Sequence, residues 1–212
     1  LEKAGLNGIN ISLDTLNRVK FKKITRREEL ENVLEGLDLA ICSGIKSIKV
    51  NMVVMKGFNN DEITEFVELT KNNDITVRFI ELMPFDSHQI WKTGKFYRAD
   101  HIVNDLRSHY RTLSPVTGSS TEYYIFKIKE YAGRVAVIPS YTRSLCSMCN
   151  RIRVTADGNL LNCLYSRSET NMRDAIRNGM KDEGLKNLIV GSMQKKLKDG
   201  LIAQNQGNDS SC

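Results

Sequence analysis

The first third of the chain alternates short β-patterned runs with helix-patterned ones. Gly8–Leu13 reads as a strand, followed by Asp14 and a loop. Thr25-Arg26-Arg27-Glu28 has the capping-box spacing, a hydroxyl with a carboxylate three residues on. Leu30, Val33, Leu34, Leu37 and Ile41 then recur at helical spacing, with Gly44 placed to end the helix in the left-handed conformation. Lys46–Met55 reads as a β-branched strand, and Lys56-Gly57-Phe58-Asn59-Asn60 as a loop. Asp61 to about Lys71 is a second amphipathic helix with Ile63, Phe66 and Val67 on one face, and Thr76–Met83 is a third strand. This βαβαβ order predicts a parallel sheet or a barrel.

Strands of a parallel sheet are usually apolar on both faces, because helices cover them. Here Asn10 shares a face with Ser12, Lys49 with Asn51, and Glu81 with Met83 by strict alternation. Two readings stand: a polar inner face near the C-terminal strand ends, where a barrel holds substrate, or strand-end residues turned to water.

After Pro84 the pattern changes. Asp100–Tyr110 predicts a helix starting at an Asp cap, and Leu113–Thr121 a Pro/Gly/Ser/Thr-rich connection. Tyr123–Lys129 and Gly133–Ile138 read as strands, so this half looks antiparallel, with a domain boundary near residues 86–95. The organisation expected is therefore 1–88, 89–180 and 181–212. The last begins as a basic amphipathic segment and fades into the polar tail Gln204–Ser211. No internal repeat is evident.

Composition narrows the class. With 212 residues, 41% hydrophobic and 26% charged, an ordinary globular core is expected; dominant disorder, collagen and mini-protein scaffolds are excluded. The longest nearly apolar stretch, Val50–Met55, is far short of the roughly 18 to 20 residues of a membrane helix, so no membrane partner is expected. No signal peptide is visible, and the opening at Leu1 in the register of a running domain reads as a piece of a longer protein. A net charge of +6 suits anionic ligands such as nucleotides. Nucleic acid is not expected, because aromatics are only 7% and basic residues are scattered. Lys195-Lys196-Leu197-Lys198 reads as a solvated helix face.

Five cysteines, an odd count at low density, argue against a disulfide framework. Cys146, Cys149 and Cys163 fall within 18 residues. Cys146-Ser147-Met148-Cys149 can reach one metal from a single turn, and Cys163 completes a tripod of thiolates. Three ligands fit a zinc site with a distant fourth ligand, or an iron–sulfur cluster with one open iron. Between them, Arg151–Thr155 alternates and Ala156-Asp157-Gly158 signals a turn before Leu160-Leu161. A three-residue loop with Gly158 left-handed pairs Cys163 with Arg151, so that Cys149, Arg151, Arg153 and Cys163 share a face. A two-residue Asp-Gly loop slips the register and turns Cys163 away. The first register suits a phosphate-bearing ligand beside a metal centre; the alternative is a pair of solvated arginines. His88, His101 and His109 read as surface histidines, Cys42 as a small buried hydrophobe, and Cys212 as free.

The run from Cys146 through Asn150-Arg151-Ile152-Arg153-Val154-Thr155 and Asp157-Gly158 to Cys163-Leu164 resembles the C-terminal cluster motif of MoaA-type molybdenum-cofactor biosynthesis proteins. These are radical S-adenosylmethionine enzymes, the GTP 3′,8-cyclases. Gly8–Asp14, Lys49-Val50-Asn51 with Lys56-Gly57, and Arg78–Pro84 are similar to family segments in the right order, and the resemblance runs to about Gly179. Met83-Pro84-Phe85-Asp86 looks more like eukaryotic members. The resemblance implies an α/β fold: the C-terminal half of an incomplete radical-SAM (βα)6 TIM-like barrel, then an α+β domain holding an auxiliary cluster. It implies that Cys146, Cys149 and Cys163 ligate a [4Fe–4S] cluster with one iron left for the guanine base. It also implies that Lys49, Arg151, Ile152 and Arg153 contact GTP, and that Ser12 and Met83 contact S-adenosylmethionine. The implied chemistry is abstraction of a ribose hydrogen by a 5′-deoxyadenosyl radical, then attack of the sugar radical on guanine C8. Cyclic pyranopterin monophosphate synthase is the implied pathway partner, with a homodimer allowed for. The implied location is intracellular: mitochondrial matrix in a eukaryote, cytoplasm otherwise.

Two departures from the family stand out. The C-x3-C-x2-C of the S-adenosylmethionine-cleaving cluster is not among these residues, and the chain ends Gly207-Asn208-Asp209-Ser210-Ser211-Cys212 where the family tends to end in Gly-Gly. The expectation is that these 212 residues bind the second cluster and part of the GTP site but do not turn over alone. The competing readings are another radical enzyme with an auxiliary cluster, and a zinc-ribbon module on nucleic acid.

Overall fold

The computed structural model describes residues 2–83, 94–116, 124–140, 142, 149, 151–164, 166 and 169–197. The backbone divides into two compact units, Leu1–Arg143 and Ser144–Cys212.

The first unit carries strands β1 (Gly8–Ser12), β2 (Ser47–Val54), β3 (Thr76–Glu81), β4 (Ser114–Pro115), β5 (Tyr124–Lys127) and β6 (Arg134–Ile138). They form one sheet in the order β1-β2-β3-β6-β5-β4. Strands β1, β2, β3 and β6 run parallel, while β5 and β4 add antiparallel. The sequence marks its change of pattern near 86–95, whereas compactness divides the chain at Arg143. The difference arises because β6 pairs with β3 and draws the later strands into the same sheet. Gly133 makes that junction possible: a Cβ there would lie 2.3 Å from Ile75 O.

Helices α1 (Arg18–Thr25), α2 (Leu30–Ile41), α3 (Ile63–Glu68) and α4 (Ala99–His109) connect these strands. Along β2, Ile48, Val50, Met52 and Val54 are buried while Lys49, Asn51 and Val53 are not. The buried row joins Leu30, Leu37, Ile63, Phe66, Val67, Val77, Phe79, Ile102, Leu106 and Val135 in one core. Each such side chain contributes roughly 1.5–3 kcal/mol through burial. Among the described residues, no helix is long and apolar enough to cross a membrane.

Several local expectations are corrected here. The loop after Asp14 contains helix α1, capped by Asn17 Oδ1, which accepts from Val19 N at 2.9 Å and Lys20 N at 3.2 Å. Thr25 therefore ends a helix rather than starting one: its Oγ1 donates to Phe21 O at 2.8 Å, and Arg26 adopts φ 61°. Helix α2 starts without a side-chain cap and stops at Cys42, whose N–H donates to Asp38 O, with no left-handed Gly44. Cys42 is exposed, not a buried hydrophobe. Helix α4 starts with Arg98 at the cap position and Asp100 in its first turn, so Asp100 is not the cap.

The described residues of the second unit form a three-stranded antiparallel sheet and two helices. The elements are β7 (Arg153–Val154), β8 (Asn159–Leu161), β9 (Thr170–Asn171), α5 (Met172–Arg177) and α6 (Asp182–Gln194). Asn171 Oδ1 caps α5 by accepting from Asp174 N at 2.9 Å. The basic segment expected after Met180 is helix α6, with Asp182 and Glu183 in its first turn, where carboxylates suit the helix dipole. Leu160 is buried, and Asn162 Nδ2 donates to Ser192 O at 2.8 Å, tying α6 to the hairpin.

Candidate functional site

In the first unit, the sheet face opposite the core carries a polar row set by register. Asn10 lies beside Lys49, Ser12 beside Asn51, and Asn51 beside Arg78. Arg78 Nε donates to Asn51 Oδ1 at 2.7 Å and its Nη2 to Asn10 Oδ1 at 2.9 Å, so one guanidinium bridges three strands. Lys49 is half-buried on this face and Ser12 is exposed at the end of β1. Met83 is half-buried just beyond β3. Sequence reading did not single out Arg78 as a member of this row, although its register beside Asn51 is what completes it.

Glu81 does not belong to the row. It alternates with Val77 and Phe79 on the covered face and is fully buried. Its carboxylate accepts from Ala99 N at 3.1 Å, Thr142 N at 2.7 Å and Thr142 Oγ1 at 2.6 Å. It thus caps α4 in place of a side chain from that helix. Met83 lies past the end of β3, outside the strand's alternation.

Asp14 and Glu62 organise the loops at the C-terminal ends of β1 and β2. Asp14 Oδ1 accepts from Val53 N at 2.8 Å, and Asn59 Nδ2 donates to Asp14 O at 2.7 Å and Val53 O at 2.9 Å. Burial pushes the Asp14 carboxyl up, against the opposing pull of the Val53 N–H. Glu62, buried, accepts from Thr15 Oγ1 at 2.8 Å, Leu16 N at 2.7 Å and Lys20 Nζ at 2.8 Å. An ion this deep is stable only when so fully partnered.

In the second unit the hairpin adopts the three-residue loop. Arg153 pairs with Leu161, Val154 with Leu160, and Thr155 N donates to Asn159 O at 2.8 Å. Gly158 takes φ 84°, and its carbonyl accepts from Met172 N and Arg173 N, both at 3.1 Å, so α5 begins on the turn itself. Thr155 Oγ1 and Asp157 bond within the loop, and Asn159 Nδ2 donates to Asp157 Oδ2 at 2.9 Å. The ladder ends at the Arg153–Leu161 pair, so Arg151 and Cys163 each lie two residues beyond it, and the chain bends at Asn162 and Cys163.

Cys149 and Cys163 are both free and half-buried. Burial alone raises the Cys149 thiol. The Arg151 backbone N–H, the Lys196 ammonium and the Arg151 guanidinium outweigh it and hold the thiol below its ordinary value. Lys196 Nζ lies 3.2 Å from Cys149 Sγ and donates to Arg151 O at 2.8 Å. The expectation that the lysines after α6 form only a solvated face is therefore corrected at Lys196. No sequence spacing links Lys196 to the cysteines; only the packing of α6 does. A thiol held low beside cations is a donor that iron–sulfur and other thiolate-bound centres use, and Cys149 fits such a centre. Cys146, His88 and Cys212 lie outside the described residues. Among the described residues, no group of three His, Cys, Asp or Glu is assembled. His101 and His109 are exposed on α4, as expected for surface histidines. Among the described residues, neither Lys49 nor Arg153 pairs with a carboxylate.

Residues 1–70 match the Radical SAM superfamily, and residues 75–201 match Molybdenum Cofactor Synthesis C. The chain is 45% identical over 201 residues to the GTP 3′,8-cyclase of Chlorobaculum tepidum, covering 95% of this chain and 61% of that protein. It is 42% identical over 200 residues to molybdenum cofactor biosynthesis protein 1 of Mus musculus, covering 93% of this chain and 31% of the relative. The mitochondrial GTP 3′,8-cyclase of Arabidopsis thaliana is 40% identical over 197 residues, covering 92% of this chain and 50% of its own length. The chain thus spans between about a third and three fifths of these relatives. Bacterial and eukaryotic relatives are similarly close, so the eukaryotic look of Met83-Pro84-Phe85-Asp86 gains no support. On its sheet, its thiol hairpin and these matches, the chain belongs to the Molybdenum Cofactor Synthesis C family.

Proposed function

We propose that the chain forms the cluster-bearing and GTP-binding part of a GTP 3′,8-cyclase in molybdenum-cofactor biosynthesis. The observation that carries this reading is the three-residue-loop register of the hairpin, with the Cys149 thiol held below its ordinary pKa near its start. In this reading the same register continues past the ladder and sets Arg151, Arg153 and Cys163 on one face. In this reading Cys146, Cys149 and Cys163 hold a [4Fe–4S] cluster. When bound, the cluster supplies an iron open to the guanine base, and S-adenosylmethionine with a second [4Fe–4S] in the full-length protein supplies the radical.

The chain's own residues bind and orient. Arg151 and Arg153 neutralise phosphate oxygens through charge-assisted hydrogen bonds, with Lys49 as a further point charge and Ile152 as the apolar contact between the arginines. Ser12 and Met83, at the ends of β1 and β3, border S-adenosylmethionine. The Arg78 bridge to Asn10 and Asn51 keeps the polar strand face in one arrangement and so limits reorganisation when ligand binds. The parallel strands β1, β2, β3 and β6 form part of the (βα)6 barrel, completed by the segment that the longer relatives carry. The same reading allows for a homodimer and expects cyclic pyranopterin monophosphate synthase as the pathway partner. It also implies a location in the mitochondrial matrix or the cytoplasm, according to source.

The test is GTP affinity in the cluster-loaded chain. Arg153→Ala is expected to weaken binding by about 1.5–3 kcal/mol, the range for hydrogen bonds to charged groups. Unchanged affinity removes Arg153 from the nucleotide site.

A further inference from the structure

Helix α6 delivers a cation to the thiol hairpin along a defined route. Asn162, the buried neighbour of Cys163, donates to Ser192 O at 2.8 Å and so fixes the last turn of the helix. Four residues on, the Lys196 backbone N–H closes that turn by donating to Met193 O at 3.0 Å. The side chain then spans back to Cys149 Sγ at 3.2 Å and to Arg151 O at 2.8 Å. Lys196 is half-buried, and among the described residues no carboxylate pairs with it. The partners that compensate its charge are a sulfur and a carbonyl oxygen.

We propose that Lys196 is a positioning residue that hydrogen-bonds the Cys149 thiolate of the bound cluster and raises the cluster's reduction potential. This rests on the iron–sulfur reading above. A positive charge and an N–H donor at a ligand sulfur stabilise whichever oxidation state carries more negative charge, and that is the reduced one. The reduction is a one-electron step. In the assay its electron comes from dithionite, and no bond forms or breaks. Arg at this position keeps charge and donors, Gln keeps a donor without charge, and Met keeps only length.

The experiment uses the 212-residue chain, reconstituted anaerobically as wild type, K196R, K196Q and K196M. Iron and sulfide are counted first, and the midpoint potential is then read by electron paramagnetic resonance during titration with dithionite. K196M is expected to lower the equilibrium constant for reduction about tenfold, a shift of about 59 mV to more negative potential. K196Q should fall between K196M and wild type, and K196R should stay near wild type. A K196M potential equal to wild type overturns the proposal. So does a K196R shift as large as that of K196M, which marks a packing effect. Should K196M fail to retain iron, K196Q against K196R carries the comparison, and equal potentials in that pair overturn the proposal. A wild-type chain that takes up no iron overturns the cluster reading itself, and this inference with it.

Discussion

Arg78 on β3 donates from Nε to Asn51 Oδ1 on β2 at 2.7 Å, and the same guanidinium reaches Asn10 on β1. The bond ties three parallel strands on the face that carries Lys49. Asn51→Ala removes the Nε acceptor. Because Arg78 is half-exposed, the expected loss is about 1 kcal/mol, below the usual range for charged partners. Urea unfolding measures it, and an unchanged midpoint contradicts a structural role for the bridge.

Glu81 holds the start of α4 and Thr142 against the end of β3. Glu81→Ala leaves those N–H and hydroxyl donors without their carboxylate in a fully buried site. The expected destabilisation is at least about 3 kcal/mol, with Glu81→Gln losing less because it keeps one acceptor. Equal unfolding midpoints for Ala and wild type would place this carboxylate outside the stability of the sheet.

Gly158 sets the hairpin register through its positive φ of 84°. An alanine there costs roughly 1–2 kcal/mol in backbone strain, and its Cβ would lie 2.7 Å from Arg173 Cβ. A shift to a two-residue loop relieves both but turns Cys163 to the other face. Gly158→Ala is therefore expected to lose iron binding more than overall stability. Full iron uptake alongside wild-type GTP affinity contradicts the role given to the register.

Asp14 predicts a pH dependence. Burial raises its carboxyl above the ordinary 3.8 in the folded chain. The folded state thus favours the protonated form, and that contribution is fully present below pH 3.8 and is lost as pH rises through the raised folded value. Asp14→Asn keeps an oxygen acceptor for Val53 N without the titration. The stability of wild type relative to Asp14→Asn is expected to fall as pH rises through this window. A difference that stays constant with pH contradicts it.

How much of this the sequence carries varies with the reach of each interaction. Helix α2 and strand β2 were legible because apolar periodicity alone decides their buried faces. The hairpin was legible to within two registers, and the native one is selected by contacts beyond the turn, since α5 starts on Gly158 O. The Thr25 capping box was misread because an identical spacing can close one helix as well as open the next. The face of Glu81 is not legible from alternation alone, because alternation pairs residues of like parity without saying which face of β3 the core covers. Arg78 and Lys196 could not be found from spacing, because strand register puts the first beside Asn51 and the docking of α6 brings the second to Cys149, which is 47 positions away in sequence.

The most direct test of the central claim is metal analysis with electron paramagnetic resonance on anaerobically reconstituted chain, with and without GTP. The account predicts about four irons and four sulfides per chain, and a reduced spectrum that GTP perturbs. One tightly held zinc, with no iron uptake and no response to GTP, would contradict it.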